Sequence, residues 1–218
     1  VTVAGFYDGV VFDDETRAAF GSVPDDEAAI NARLGIAEAD CVGLSYQEAI
    51  NYPSFNIAGL KAADVGANRR TIIPEYATAA IGMRTVPATP PERLIALVRT
   101  HIEAQGYHLV DGEPTEEERL KYPRLASMKG GGGGKALQTP LGAPVGKWIT
   151  ASLKETFNAD PVRIPLMGGS VPTSGLLSLG APIMLLPLVN ADNNQHAANE
   201  NMRVGNYYDG VRALHGLF

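Results

Sequence analysis

The 218 residues contain one cysteine, Cys41, and four histidines. A single cysteine closes no disulfide within the chain, and without a CxxC pair or a Cys/His cluster there is no finger-type structural zinc site. Charge is scarce as well: Asp, Glu, Lys and Arg make up 19%, and the formal net charge is −6. With no basic excess the chain has no electrostatic footprint for nucleic acid or for an anionic membrane surface. Long apolar runs are missing too. The longest, around Pro182 to Val189, falls far short of the ~20 residues a helix needs to cross a bilayer. A soluble protein is expected, cytoplasmic in preference, in a compartment that one cysteine does not decide. The opening residues VTVAGFYDGVVFDD have neither the charged start nor the apolar core of a secretory leader, and no initiator methionine. The chain reads as a segment of something longer.

What is present is an apolar share of 45%, enough for real cores. Residues 12–50 are rich in Ala, Asp and Glu, and EAAINARLGIAEAD has helical spacing, which predicts short surface helices. SFNIAGL (54–60) and TIIPEYATAAIGMRTV (71–86) read as two antiparallel strands joined by a long hairpin, with Pro74 marking a bulge or an edge. Thr89-Pro90-Pro91-Glu92 reads as a capping box with proline in the first turn. It opens a helix carrying Leu94, Leu97, Val98 and Ile102 on one stripe and stopping at Gly106. YHLV (107–110) is a further strand. Strand, strand, helix, strand is most of a ferredoxin-like βαββαβ unit, whose first strand and helix are not visible in what precedes.

Residues 113–128 read as charged and irregular, and KGGGGGK (129–135) as a flexible connector. No phosphate-loop lysine motif accompanies those glycines. Beyond them a helix is predicted over 141–157, holding Val145, Trp148, Ile149 and Leu153. VRIPL (162–166) predicts a strand, GGSVPTSGLLSL (168–179) a turn running into a helix, and APIMLLPLV (181–189) a fully buried strand. The last segment places Tyr207, Val211, Leu214 and Phe218 along one helical face. Helix alternating with buried strand belongs to a parallel α/β layer. The expected class is therefore α/β, with an incomplete ferredoxin-like domain over 1–128 and part of a parallel α/β domain over 129–218.

DNNQHAANEN (192–201) follows the buried strand, where open α/β sheets display ligands. His196 there is either a metal ligand or an ordinary loop histidine. Asp192, Asn193, Asn194, Asn199 and Glu200 could orient its imidazole by hydrogen bonds or be solvated turn residues. A catalytic ion takes three or more protein ligands, and His101, His108 and His215 fall on predicted helix or strand positions that read as structural or exposed. Gly168-Gly169-Ser170 sits at a strand-to-helix join, suited either to an anion or to an empty tight turn. Arg84 among apolar neighbours suits bidentate capture of a carboxylate, or protection of a strand edge.

Taken together, GFYDGV (5–10), SFNIAGL (54–60), RTIIPEYATAAIGMRTVP (70–87), GGSVP (168–172) and DNNQHAANEN (192–201) occur in the order found in M20 family metallopeptidases, and the chain resembles their carnosinase-like dipeptidase branch. The resemblance implies a lid and dimerisation domain followed by the C-terminal part of a di-zinc catalytic domain that hydrolyses dipeptides or related N-acyl amino acid amide bonds. Manganese or cobalt are alternatives to zinc. It implies His196 as the last metal ligand in chain order, and Arg84 as the lid arginine gripping the substrate carboxylate, with Thr71 nearby on the same hairpin. Gly168, Gly169 and Ser170 become a substrate-contacting loop. It further implies a homodimer through the lid and an upstream catalytic half, with its HxD segment and catalytic glutamates, that this chain does not hold. No catalytic carboxylate can then be named here, and the chain alone is expected to be inactive. Met167 stands where carnosinase-like members commonly have glutamate, so recognition of a free substrate amino group does not carry over. A non-catalytic oligomerisation or interaction module derived from the lid is the competing reading.

Overall fold

The computed structural model describes residues 1–218 apart from 41, 132, 173 and 178, and it leaves aside the side chains of 174 and 177. Cys41, the centre of the glycine run and part of the 168–179 turn therefore lie outside the described residues. The chain divides into two compact units, one formed by Val1–Val11 with Ile50–Leu137, the other by Phe12–Ala49 with Gln138–Phe218.

In the first unit β1 (Ser54–Lys61) and β2 (Thr78–Arg84) form the expected antiparallel pair, with Ser54 opposite Arg84 and Lys61 opposite Thr78. The irregularity expected at Pro74 falls elsewhere. Pro74 stays outside the ladder because β2 begins only at Thr78, and the register shifts on β1 between Ile57 and Gly59. The helix α4 (Pro91–Ala104) buries Leu94 and Val98 against Val3 and Phe6, with Phe55, Met83, Leu97 and Ile102 packed around them. Its amphipathic stripe is the one predicted.

The capping box is not. Pro90 is the N-cap and makes no side-chain cap bond, while Thr89, fully buried, turns back so that its hydroxyl accepts the Val86 N–H at 3.1 Å. With two prolines lacking N–H groups in the first turn, fewer donors remain for a cap to satisfy. Arg93 ties the opening turn to this helix, its guanidinium donating to the carbonyls of Asp8 (2.9 Å) and Gly5 (2.8 Å). Gly5 and Gly9 of GFYDGV both have positive φ, which a side chain would resist.

Residues 113–128 are more ordered than expected. α5 (Glu116–Lys121) carries a true capping box: Thr115 accepts from the Glu118 N–H and the Glu118 carboxylate accepts from the Thr115 N–H. β3 (His108–Val110) pairs in parallel with β4 (Leu125–Ser127), α5 lying between them in sequence. Among the described residues the strands thus form two separate pairs rather than the single expected sheet.

The second unit starts with three short helices, α1 (Asp14–Ser22), α2 (Glu27–Leu34) and α3 (Tyr46–Ala49). Asp13 and Asp26 cap α1 and α2 through the N–H groups of Thr16 (2.7 Å) and Ala29 (2.9 Å). Gly35, at φ 68°, ends α2, so the helical pattern does not run on through GIAEAD. α6 (Pro144–Phe157) packs against α8 (Val204–Leu217), and a short α7 (Ser174–Leu177) lies between them in sequence. On α8 the buried positions are Gly210 and Ala213, Gly210 lying against Leu188. The stripe of Tyr207, Val211, Leu214 and Phe218 is exposed, and so is Trp148 of α6.

VRIPL and APIMLLPLV do not become strands: neither joins a ladder among the described residues. Side chains hold them instead. The Thr139 hydroxyl donates to the Ile183 carbonyl (2.8 Å) and accepts from its N–H (3.0 Å), and Gln138 donates to the Pro165 carbonyl (3.3 Å). A strand needs neighbouring backbone to pair with, and these residues supply none.

Accessible surface tells the same story in area. The chain exposes 15718 Å², against roughly 9,700 Å² for a folded monomer of 23.1 kDa. Two separate units of half that mass would expose roughly 11,600 Å². Among the described residues no helix is long and apolar enough to cross a membrane.

Candidate functional site

The residues singled out by sequence lie in both units. Arg84 ends β2 opposite Ser54, with its side chain exposed. Thr71 lies in a bend of the connection that joins β1 to β2, outside the ladder itself. Gly168 and Gly169 form a bend, and with Ser170 after it they are exposed in the second unit. A methyl group at Gly169 would meet only the Met167 Cε, at 3.6 Å, an ordinary contact. The helix after this bend has four residues, too short for a substantial dipole to reinforce anion binding.

His196 has the most structured setting. It sits in the turn after the 181–189 segment, with its backbone at φ 62°; Asn194 (φ 58°) and Asn199 (φ 63°) are also left-handed. For an L residue that conformation costs about 1–2 kcal/mol, and it persists only when surroundings enforce it. Several bonds do so. Asn193, buried, accepts the Gln195 N–H on its side-chain oxygen (3.1 Å), and its backbone carbonyl accepts the Asn201 N–H (2.8 Å). The Asn194 carbonyl accepts the Ala197 N–H (3.1 Å), and the Asn194 amide donates to the Ala198 carbonyl. Asn201 donates to the Asn199 carbonyl (2.9 Å).

Outside this inner ring lies a second one that the sequence reading missed. Asn190, buried, donates to Asp192 (2.8 Å) and to Asn201 (3.5 Å) while its oxygen accepts the Arg203 N–H (3.0 Å). Arg203 also pairs with Asp192 at 2.5 Å. The Asn190 hydrogen bond, and then the nearby guanidinium, hold the Asp192 carboxyl below its ordinary value. The signal available in sequence was an Asn at the end of an apolar run, with Asp192 and Arg203 bracketing the loop.

The polar neighbours of His196 therefore shape its backbone. They do not grip its ring: among the described residues the imidazole makes no hydrogen bond or ion pair. Among those residues, too, no three His, Cys, Asp or Glu side chains gather where they could hold a metal ion. An exposed imidazole is a suitable donor type for a divalent ion, and His196 is one donor.

Residues 16–109 match the peptidase dimerisation domain of the M20 family. In this match and in the motif order already described, the chain is similar to the M20 peptidases. It is 28% identical over 170 residues to the Cys-Gly metallodipeptidase DUG1 of Candida albicans, covering 76% of this chain and 32% of that protein. In structure it is similar to the M20 family metallo-carboxypeptidase Sso-CP2 from Sulfolobus solfataricus, with a TM-score of 0.73 and 24% identity over 100% of this chain and 47% of the other. Human carnosine dipeptidase 1 is similar with a TM-score of 0.63 and 17% identity, over 100% and 44%. The structural likenesses establish a mixed α/β fold of M20 type. The chain spans about a third of the length of the curated relatives it matches.

Proposed function

We propose that this chain is the lid remainder (1–128) and the C-terminal part of the catalytic domain (129–218) of a metal-dependent M20 dipeptidase that acts as a homodimer through the lid. Its substrates are dipeptides or related N-acyl amino acids. The observation that carries this reading is the 190–203 loop, whose two rings of hydrogen bonds hold an exposed His196 in a left-handed backbone conformation. His196 would hold one corner of the metal centre, zinc in preference to manganese or cobalt, the other ligands coming from outside this chain. A bound divalent ion supplies Lewis-acid polarisation of the scissile carbonyl and a more acidic water. Arg84 presents a guanidinium for bidentate pairing with a substrate carboxylate, with Thr71 adding a hydroxyl. The exposed backbone of Gly168, Gly169 and Ser170 lets a substrate approach closely.

The test is complementation. The purified chain with added zinc is expected not to hydrolyse Cys-Gly or other dipeptides, and mixing it with the N-terminal half of an M20 dipeptidase is expected to restore metal-dependent hydrolysis. Robust turnover by the chain alone would overturn this account. The match of residues 16–109 to a dimerisation domain favours a second reading, an oligomerisation module without catalysis. Dimer formation with no complementing half able to restore turnover would select it.

A further inference from the structure

We infer that Asn190 is a positioning residue for His196: a buried amide latch that closes both ends of the loop on which that imidazole is displayed. Its donor and acceptor both act. The amide donates to Asp192 near the start of the loop and to Asn201 near its end, and its oxygen accepts the N–H of Arg203, the residue preceding α8. Asn190 is 5% exposed, so water cannot readily replace these bonds, and removing the side chain leaves the Arg203 N–H without its partner. The Asp192–Arg203 ion pair spans the same gap but is exposed at both ends, where such pairs contribute little.

Between the latched ends, Asn194, His196 and Asn199 are all left-handed. Opening the latch lets these residues relax to ordinary backbone conformations, and the imidazole direction changes with them. The Asn190 side chain bonds to Asp192, Asn201 and the Arg203 N–H and not to the His196 ring, so its effect on His196 passes through the backbone. The functional consequence rests on His196 being the metal ligand proposed above; the latch itself does not.

The experiment is done on the metal-free 218-residue chain. Asn190→Ala is expected to raise amide hydrogen exchange at Gln195, Ala197 and Asn201 at least fivefold, although none of those N–H groups bonds to the Asn190 side chain. It is also expected to move the His196 ring resonances toward those of an unstructured peptide, while those of His101, His108 and His215 stay in place. A residue that only supports general stability would lower the melting temperature without this His196 signature, and that result overturns the latch. Asp192→Ala, which removes the exposed ion pair but keeps the bond from the Arg203 N–H to the Asn190 oxygen, is expected to give a smaller change at the same amides and carries the test if Asn190→Ala unfolds. No change there overturns it. If the amides and ring respond as expected while His196→Ala leaves complemented hydrolysis intact, the latch stands and the ligand reading falls.

Discussion

Replacing Gly146 with alanine sets two physical effects of opposite sign against each other. Gly146 lies in the first turn of α6, and alanine in a helix interior is favoured over glycine by about 0.8–1.0 kcal/mol. Packing opposes it. A Cβ at this position would sit 2.4 Å from the Leu141 carbonyl oxygen and 2.6 Å from the Met184 Cε. The methionine end can swing aside, but the carbonyl belongs to the turn in which the Ala143 N–H bonds to Pro140 at 3.0 Å, just ahead of the helix. Overpacking costs about 1–3 kcal/mol, and a clash with backbone belongs at the upper end of that range. A net loss of about 1–2 kcal/mol is expected after the propensity gain. Gly205 of α8 is the control, since nothing lies within 4 Å of its missing Cβ. There alanine is expected to stabilise by about 0.5–1 kcal/mol. Trp148, the sole tryptophan, is on α6, so urea unfolding followed by its fluorescence reports on this unit. Gly146→Ala should lower the midpoint by about 1 M. An equal or higher midpoint would refute the steric argument.

Leu94→Ala empties a fully buried position beside Val3, Phe6 and Val98 and is expected to cost about 2–5 kcal/mol in urea unfolding followed by circular dichroism. The α5 capping box makes a pH prediction. The Thr115 N–H, and then the Thr115 hydroxyl, hold the Glu118 carboxyl below its usual 4.5. A lowered folded pKa gives stabilisation that is complete above 4.5 and lost as pH falls through the folded value. The amide resonances of α5 should therefore move toward coil positions only below pH 4.5, and at a higher pH in Thr115→Ala. In the complemented enzyme, Arg84→Ala is expected to raise KM at least tenfold for dipeptides with a free carboxylate and much less for amidated ones. Equal effects would assign Arg84 to structure.

Local signals were readable where one stretch of chain carries the whole cause. The α4 stripe of Leu94, Leu97, Val98 and Ile102 is written in the helical spacing of one segment, and it forms as expected. The β1–β2 pairing follows from strand composition, and the short helices follow from their aspartate caps. Two errors came from reading one motif and overlooking the same motif nearby. Thr89 looks like a capping residue but precedes two prolines, and its hydroxyl goes to Val86; Thr115-Glu116-Glu117-Glu118 is a real box in a stretch read as irregular. For the site, the position of His196 past an apolar run was legible, but its support was not. Asn190 and Arg203 are thirteen residues apart, and nothing in residue spacing announces that one buried amide joins both ends of the loop.

The remaining disagreements share one cause. Apolar composition records the surroundings a segment is suited to, and secondary structure records the partners it has. APIMLLPLV and VRIPL are composed for burial in a parallel layer, yet among the described residues no strand pairs with them, and side chains such as Thr139 and Gln138 take up part of their backbone hydrogen bonding. Tyr207, Val211 and Leu214 follow helical spacing for a buried face, while α8 packs through Gly210 and Ala213 on another side and leaves them exposed. Specific residues, then, explain both why a layered α/β architecture was readable and why this chain does not complete it: the sequence encodes faces for neighbours that its own described residues do not provide.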